Sequence, residues 1–521
     1  MKLETLCFLA GLETPSDTRM AACEINAITI DSRAVVPGCM FVCIRGATAD
    51  GHAYVKQALE QGAAAVVIER EVPVMKGSGA IFIRVNDTRR ALSCLCNAFY
   101  GDPAGQMRLI AVTGTNGKTS VSTMLKAIFD AAMIPCGLIG TVRCVCRDRV
   151  LNIRSANPNA NMTTPDPSEL YHMLSVMREE GVEVVIMETT SHALALKKLD
   201  PLRFDAAIFT NLTPEHLDFH GDMQHYFAAK ASLFPKAKLA VLNADDSTAV
   251  RLIPYCKGKI VRTSTGLRDA EYTASDVRFR GTEGVSYTLT SPNAKLKLSS
   301  PIPGIFTLSN TLQAAACALE MGVSARVIRE TLNALMGVEG RMERVRFDNP
   351  VNFSVFVDYA HTPDALENVL RTACGFRSEG QRIVLVFGCG GDRDKAKRAL
   401  MGSVASRFAD MVYVTSDNSR SEDPDAIIAD ILSGIDREKP YRVIRDRAVA
   451  IEVAIREARA GDIILLAGKG HEKYEIDATG KHPFDEKAIA ADAAARAYPF
   501  LQTSDSEADH RSDRDENRDW N

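Results

Sequence analysis

Leu109-Ile110-Ala111-Val112-Thr113-Gly114-Thr115-Asn116-Gly117-Lys118-Thr119-Ser120 decides how the rest of this 521-residue chain is read. The apolar run predicts a buried strand, the glycines a tight loop, and residues 121–130 the helix that follows. In that arrangement the loop N–H groups and the helix N-terminus converge on one point, which suits a polyphosphate. Gly114, Thr115, Asn116, Gly117, Lys118, Thr119 and Ser120 are therefore the candidate ATP contacts. Lys118 is placed to pair with the β- and γ-phosphates, and the Thr119 hydroxyl to ligate Mg²⁺. The general phosphate-loop pattern has a glycine five positions before Gly117, where this chain has Val112, so a strict pattern misses the site. The competing reading is a glycine turn capping a helix, with a stray lysine.

Length gives room for roughly three to four domains. An apolar content of 46%, a charged content of 25% and a formal net charge of −4 describe an ordinary globular chain; the basic surplus that nucleic-acid binding asks for is missing. The thirteen cysteines are odd in number, and no apolar signal segment follows Met1-Lys2-Leu3-Glu4. No apolar run reaches the length of about eighteen residues that a membrane span needs. A cytoplasmic protein with reduced thiols, no membrane span and no nucleic-acid partner is the expectation. Cys39/Cys43, Cys94/Cys96 and Cys144/Cys146 lack a second pair at zinc-site spacing and read as small buried hydrophobes.

The fold class expected is α/β, in three domains: residues 1–105, a central ATP-binding domain over 106–343 and a Rossmann-like domain over 344–500. A disordered tail is expected over 501–521, where the chain turns to Ser, Asp, Glu, Arg and Asn. In the first unit, strands at 41–44 and 64–68 flank a turn at Asp50-Gly51-His52 and a helix at 54–61. In the second, a strand at 184–187 leads into Glu188, and a strand at 206–210 leads into Thr213-Pro214-Glu215-His216-Leu217-Asp218-Phe219-His220. Open α/β sheets place their ligands at such strand ends, and a carboxylate there can hold a metal. The density of acid and imidazole groups is unusual for a solvated loop, although a surface loop is the alternative. In the third unit, strands at 353–357, 382–387, 411–415 and 462–467 alternate with helical stretches, which predicts a mostly parallel sheet. Its Gly388-Cys389-Gly390-Gly391 turn does not complete a dinucleotide fingerprint.

TGTNGKTS resembles the loop of Mur ligases and of folylpolyglutamate synthetases. The rest of the chain, over nearly all of residues 25–490, resembles the MurE-type Mur ligases in all three units. Asp31-Ser32-Arg33 with Val36-Pro37-Gly38 is similar to their UDP-binding domain, and this implies that Ile30, Ser32 and the loop Ala47-Thr48-Ala49 contact the nucleotide end of the substrate. The alternative is that Asp31 and Ser32 only cap a turn. Thr163-Thr164-Pro165 resembles a family element that contacts the muramoyl dipeptide. TNLTPEHLDFHGDM, with Tyr226 and Lys230 beyond it, is similar to the family's second-metal site, where the matching lysine is carbamylated and becomes an anionic ligand. The resemblance thus implies catalytic roles for Lys118, His216 and Lys230, and a metal set of Thr119, Glu188, His216 and carbamylated Lys230. Asn310 resembles an asparagine near the adenine, and Arg341 of Gly340-Arg341-Met342-Glu343 a nucleotide contact. An acid at Asp358 is placed to meet the nucleotide–metal centre.

Three further segments, 391–395, 417–420 and 468–472, resemble the elements that bind the incoming amino acid. A diamino diacid needs a guanidinium for its distal carboxylate and an acid for its distal ammonium. Arg420 and Glu472 are the candidates, with Arg393 alongside and Asp417, Asn418, Ser419 and Gly468 around them; exposed salt-bridging residues are the alternative.

The reaction implied is ATP-dependent amide formation on UDP-MurNAc-L-Ala-D-Glu through an acyl phosphate, with ATP and Mg²⁺ required and a monomer expected. Arg420 favours meso-diaminopimelate over L-lysine. Ser419 stands in the position of a family proline. Thr190, Leu196 and Lys198 replace a serine, a glutamine and an arginine around the dipeptide site, and Met162 stands where an asparagine usually precedes Thr163. Thr190 and Lys198 keep a hydroxyl and a cation, so both stay among the candidate dipeptide contacts with Thr163 and Thr164; Leu196 cannot replace an amide. The same reaction with L-lysine and a variant ligase of the wider superfamily are the open alternatives. A folylpolyglutamate synthetase would lack the first unit and the Arg420 element. A non-catalytic nucleotide switch would need neither Lys230 nor the Arg420/Glu472 pair.

Overall fold

The computed structural model describes residues 1–13, 17–46, 49–73, 79–152, 163–266 and 269–498. The candidate contacts Ala47 and Thr48, Met162 and the expected tail at 501–521 lie outside the described residues. By its contacts the chain divides into two compact units, residues 1–343 with 362–378, and residues 344–361 with 379 onward. The expected α/β class is what the elements form.

Unit 1 begins with four parallel strands in sequence order: β1 (Ala27–Thr29), β2 (Cys39–Val42), β3 (Ala65–Ile68) and β4 (Ile81–Arg84). The second strand therefore starts and ends two residues earlier than the expected 41–44. Met40, Val42 and Val67 belong to the same buried cluster as Leu92, Leu95, Leu109 and Tyr171, so no break in the apolar core follows this sheet.

A larger sheet follows, from β5 (Arg108–Thr113), β6 (Cys136–Ile139), β7 (Cys144–Cys146), β8 (Arg149–Val150), β9 (Val184–Glu188), β10 (Phe204–Phe209), β11 (Ala237–Asn243), β12 (Lys259–Ser264), β13 (Tyr272–Phe279), β14 (Val285–Thr290) and β15 (Lys295–Ser300). Its order is β15-β14-β13-β12-β11-β10-β5-β9-β6-β7-β8. The strands from β13 to β6 in that order run parallel, and those from β11 to β6 are largely apolar and buried, as in a sheet covered on both faces. Both ends finish in antiparallel strands. In the middle, β5 lies between β9 and β10, with Val112 opposite Glu188 and Thr113 opposite Phe209. That register sets the loop after β5, the acid at the end of β9 and the turn after β10 side by side at one sheet edge. The helix after the loop runs Lys118–Ala131, three residues earlier than expected at its start, because Gly117 at φ 87° turns the chain directly into it.

A further sheet has β16 (Glu343–Arg344), at the boundary of the two units, and in unit 2 β17 (Ser354–Asp358), β18 (Ile383–Phe387), β19 (Met411–Val414), β20 (Tyr441–Val443) and β21 (Ile463–Ala467), in the order β16-β17-β21-β18-β19-β20. The run from β17 to β20 is parallel, as expected. A hairpin, β22 (Tyr474–Asp477) and β23 (Gly480–Pro483), follows. With β21 between β17 and β18, the turns after Asp358, Phe387 and Ala467 open at the same edge. One of those turns, the one after Phe387, is tied to the helix Ala396–Phe408 by its fully buried Arg398, which donates to Gly390 O at 3.4 Å and also pairs with Glu422, beyond β19, at 2.9 and 3.0 Å and with Asp430 at 2.9 Å. Among the described residues, no helix is long and apolar enough to cross a membrane.

Ile464 is fully buried in β21 among Val355, Val384, Ala450 and Ile451. Ile464→Ala is expected to destabilise unit 2 by about 2–5 kcal/mol in denaturant unfolding, from lost burial plus the cavity left behind. The Arg398 guanidinium, helped by the Asp392 N–H, holds the Glu422 carboxyl down at about 2 against an ordinary 4.5. The unfolded chain therefore takes up this proton first as pH falls. The pair's contribution is present in full above about 4.5 and is lost as pH falls from there towards about 2. Melting temperatures measured across that window should fall less steeply for Glu422→Gln than for the wild type, and the variant should melt lower at neutral pH.

Candidate functional site

The loop after β5 is held by close contacts to the turn after β10 and to a later helix. A Cβ on Gly114, at φ 149°, would lie 1.8 Å from Thr210 Oγ1, and one on Gly117 would lie 2.6 Å from Asn310 Oδ1. Only glycine lets the turn after β10 and the Asn310 helix (Ile305–Glu320) approach this closely. The loop is fastened by Thr115 N–H to Asn211 O and Asn116 N–H to Asn211 Oδ1, both 2.9 Å. The Thr210 hydroxyl donates to Asn116 O at 2.6 Å, and the Thr115 hydroxyl meets the Tyr226 hydroxyl at 3.0 Å.

Two lysines converge on it. Lys118 Nζ donates to Gly114 O at 3.0 Å and Thr115 O at 2.7 Å. Lys230, buried on the helix Met223–Ala231, donates to the same Gly114 O at 2.8 Å and stands 4.7 Å from the Tyr226 ring centroid. Burial pushes Lys118 below the usual ammonium range, against the pull of Glu215 and Glu188. Burial, and then the Lys118 charge, push Lys230 well below it.

Glu188, 1% exposed, closes β9. Its Oε2 accepts the Thr119 hydroxyl at 3.0 Å and the Thr141 hydroxyl at 2.8 Å, and its Oε1 accepts Thr141 N–H at 3.0 Å. Arg341 Nη2 donates to Thr119 Oγ1 at 3.3 Å. Thr163 meets Thr141 at 3.0 Å, while Thr164 donates to Glu188 O at 2.9 Å and lies 3.3 Å from the Thr190 hydroxyl, the N-cap of the helix Ser191–Ala195. Leu196 only ends that helix. Lys198, 3% exposed, pairs with Asp166 at 2.7 Å. His216, at φ 57°, packs edge-on against His192 with ring centroids 4.6 Å apart, and burial pushes both imidazoles down to about 4. Ser120 is buried in the first turn of the loop helix. Unit 1 thus brings Thr119, Glu188, Lys118, Lys230, Arg341, Thr163, Thr164 and Thr190 into one hydrogen-bonded neighbourhood.

Sequence reasoning missed Thr141, which fixes both oxygens of Glu188. It also missed Asp364, whose Oδ2 accepts Asn116 Nδ2 at 3.1 Å and the Thr213 hydroxyl at 2.8 Å. The only signal for Asp364 was its place after a Thr-Pro at a helix start. The Thr119–Glu188 pair is an all-oxygen donor set of the kind Mg²⁺ takes, so the residues fit that cation. Among the described residues no three His, Cys, Asp or Glu side chains form a complete cage, so other ligands would come from phosphate or water.

On the first sheet, Ile30 is 39% exposed and Ala49 is exposed, while Ser32 is buried and donates to Gln57 Oε1 at 2.8 Å. Asp31 accepts Arg33 N–H at 2.9 Å, which is the turn-capping alternative in its case.

In unit 2 the expected amino-acid elements do meet. Asn418 Nδ2 donates to Glu472 Oε2 at 2.8 Å. Arg420, at φ 53°, donates through Nη1 to Gly391 O at 2.9 Å and Asn418 O at 3.2 Å. Asp417 and Ser419 are buried, and a Cβ on Gly468 would lie 2.7 Å from Asp417 Oδ2. Burial raises Glu472 above the ordinary carboxyl value, the Asn418 bond opposing it. Arg393 is exposed and donates to Asp392 O at 3.2 Å. Asp358 accepts Ala360 N–H on its side chain at 2.9 Å and Gly468 N–H on its carbonyl at 3.0 Å. Sequence reasoning missed Lys469, Arg447 and Glu486, a buried charged set beneath these residues.

Three family descriptions match in chain order: Mur ligase family, catalytic domain, over residues 24–100; Mur ligase middle domain, over 112–318; and Mur ligase, glutamate ligase domain, over 340–470. A protein of Clostridioides difficile named UDP-N-acetylmuramoyl-L-alanyl-D-glutamate--2,6-diaminopimelate ligase is 42% identical over 477 residues, covering 91% of this chain and 96% of its own length. One of the same name from Geobacter metallireducens is 39% identical over 519 residues, covering 95% and 98%. A solved structure with that ligase name superposes at a TM-score of 0.67 and 31% identity, covering 94% of this chain and 99% of its own. The MurF ligase of Thermotoga maritima, solved with ADP, shares the fold at a TM-score of 0.57 and 16% identity, over 91% and 97%. With identity of this order along nine-tenths of its length, the chain belongs to the Mur ligase family.

Proposed function

We propose that the chain joins meso-diaminopimelate to UDP-MurNAc-L-Ala-D-Glu by ATP-dependent amide formation. The observation that carries this reading is the convergence of Lys118, Lys230 and the Thr119–Glu188 pair on the loop at Gly114; the names of the relatives supply the substrates. The terminal phosphoryl of ATP passes to the γ-carboxylate of D-Glu, giving an acyl phosphate and ADP. The amine of the incoming amino acid then attacks the acyl carbon, the C–O bond to phosphate breaks, and phosphate and a proton leave. Two anions must approach each other in the first step, and fixed positive charge is what lowers that barrier.

The loop N–H groups and Lys118 hold the phosphates, Lys118 exchanging its carbonyl partners for them. Asn310, beside Gly117, and Arg341, beside Thr119, bound the nucleotide. Thr119 and Glu188 would hold Mg²⁺, with His216 and carbamylated Lys230 as a second set, and a cation held there would supply charge to neutralise the phosphates. The free amine is the form of a lysine that reacts with carbon dioxide, and burial favours that form of Lys230: its nitrogen bonds to carbon, a proton leaves, and a carbamate results. Thr163, Thr164, Thr190 and Lys198 contact the dipeptide, and Ile30, Ser32 and Ala49 the uridine end. Arg420 receives the distal carboxylate and Glu472 the distal ammonium, with Arg393, Asp417, Asn418, Ser419 and Gly468 around them. Two backbone carbonyls fix the Arg420 guanidinium plane, which favours a diacid over L-lysine. The domains follow as 1–105 for the uridine nucleotide, 106–343 for ATP and 344–500 for the amino acid, acting in the cytoplasm where nucleotide precursors are made.

ADP release should require both UDP-MurNAc-L-Ala-D-Glu and meso-diaminopimelate and should fall sharply with L-lysine or L-ornithine; release indifferent to the amino acid refutes the reading. Lys118→Ala should lower kcat about 10²- to 10³-fold, the scale of losing one fixed charge-stabilising group. Incubation with ¹³C-bicarbonate should give a carbamate carbonyl signal in the wild type that Lys230→Met abolishes.

A further inference from the structure

We infer that Lys469 is a positioning residue for the diamino acid: it sets the orientation of the Asn418 amide and, through it, the placing of Glu472 and Arg420. The inference rests on the reading that these last two residues bind the diamino acid.

Lys469 is fully buried. An ammonium can only donate, and its donors reach Asn418 Oδ1 and Tyr474 O, each at 3.0 Å. The Ile476 N–H, which also can only donate, reaches the same Asn418 Oδ1 at 3.0 Å. Two donors on one side leave the amide a single choice. The oxygen faces Lys469 and β22, and Nδ2 faces Glu472 Oε2 at 2.8 Å. Reversed, the NH₂ group would meet two donors and the carbonyl oxygen would meet a carboxylate.

Asn418 passes this orientation on through its backbone. Its carbonyl accepts Gly391 N–H at 2.9 Å and Arg420 Nη1 at 3.2 Å. The Lys469 charge is balanced by Asp417 at 3.3 Å, which also bonds the Asn418 N–H at 2.6 Å. Arg447 lies behind, paired with Glu486 at 2.7 Å and donating to Ala467 O at 2.8 Å and Ser416 O at 3.2 Å. Lys469 thus grips the hairpin through the Tyr474 carbonyl and the 417–420 turn through Asn418, and the two groups aimed at the substrate lie one bond further on.

The test uses the full chain and steady-state ADP release with each substrate varied in turn. Lys469→Met should raise KM for meso-diaminopimelate about ten- to a hundredfold, the scale of a lost charge-assisted hydrogen bond. KM for ATP and for UDP-MurNAc-L-Ala-D-Glu, and kcat at saturation, should stay within about twofold, the spread expected of sites that do not couple. In an Asn418→Ala background the same substitution should add less than about twofold, because the amide through which it acts is already gone. Asn418→Asp keeps the acceptor for Lys469 and Ile476 while turning an oxygen towards Glu472. It should raise the same KM alone, and it serves where Lys469→Met fails to fold. An unmoved KM for the diamino acid in the folded variants, a rise shared by all three substrates, or effects that multiply in the double variant each overturn the role of Lys469. A wild type that releases no ADP with any diamino acid overturns the parent reading, and this inference with it.

Discussion

The carbonyl of Gly114 is where this structure concentrates its constraint. Two lysines donate to it from different elements, one from the helix that begins at the loop and one from a helix more than a hundred residues later. Lys118 reaches it locally, four residues on, whereas Lys230 comes from beyond β10, which pairs with β5; β5 between β9 and β10 brings the loop, the Glu188 strand end and the turn before His216 to one edge. The charge cluster holds because acids balance it: Glu188 and Glu215 pull Lys118 towards its charged form while burial pushes the other way. Remove the register of the central strands and Glu188 loses Thr119 while Lys230 loses the Gly114 carbonyl.

Unit 2 solves a similar problem with buried charge. Asp417, Lys469, Arg447 and Glu486 all lie beneath the turns that carry Asn418, Gly468 and Glu472. Each has an opposite charge within hydrogen-bonding or ion-pair distance, the condition under which burying ions is tolerable. A single member removed would leave its partner without compensation. Arg398 repeats the device on the other side, where Glu422 and Asp430 meet it.

What was legible in the sequence was local. The apolar run at 109–113 and the glycines after it announce strand, loop and helix within twenty residues, and the folded chain has them. The acid at 188 and the imidazole at 216 were legible for the same reason, each standing just past an apolar strand. Thr141 and Asp364 were not, because what makes them matter is a partner 47 residues away in one case and 248 in the other. Lys469 lies within the segment 468–472, yet its burial could not be read from flanking glycines. The antiparallel strands β14 and β15 were also passed over, although Val285, Tyr287 and Leu289 and then Leu296 and Leu298 alternate with polar residues in the period of a half-buried strand.

Val112, in the position where the broader pattern has glycine, turns out to be an ordinary member of β5, and its carbonyl accepts the Thr189 N–H at 2.8 Å. The strand therefore runs on to Thr113, leaving Gly114 to Gly117 as the whole of the loop, pinned from outside at Thr115 and Asn116. So short a segment has little conformational entropy left to lose. On the function proposed above, an incoming triphosphate would meet a cradle that the fold itself orders, and its affinity would be set by the exchange of lysine partners rather than by the disorder it must quench.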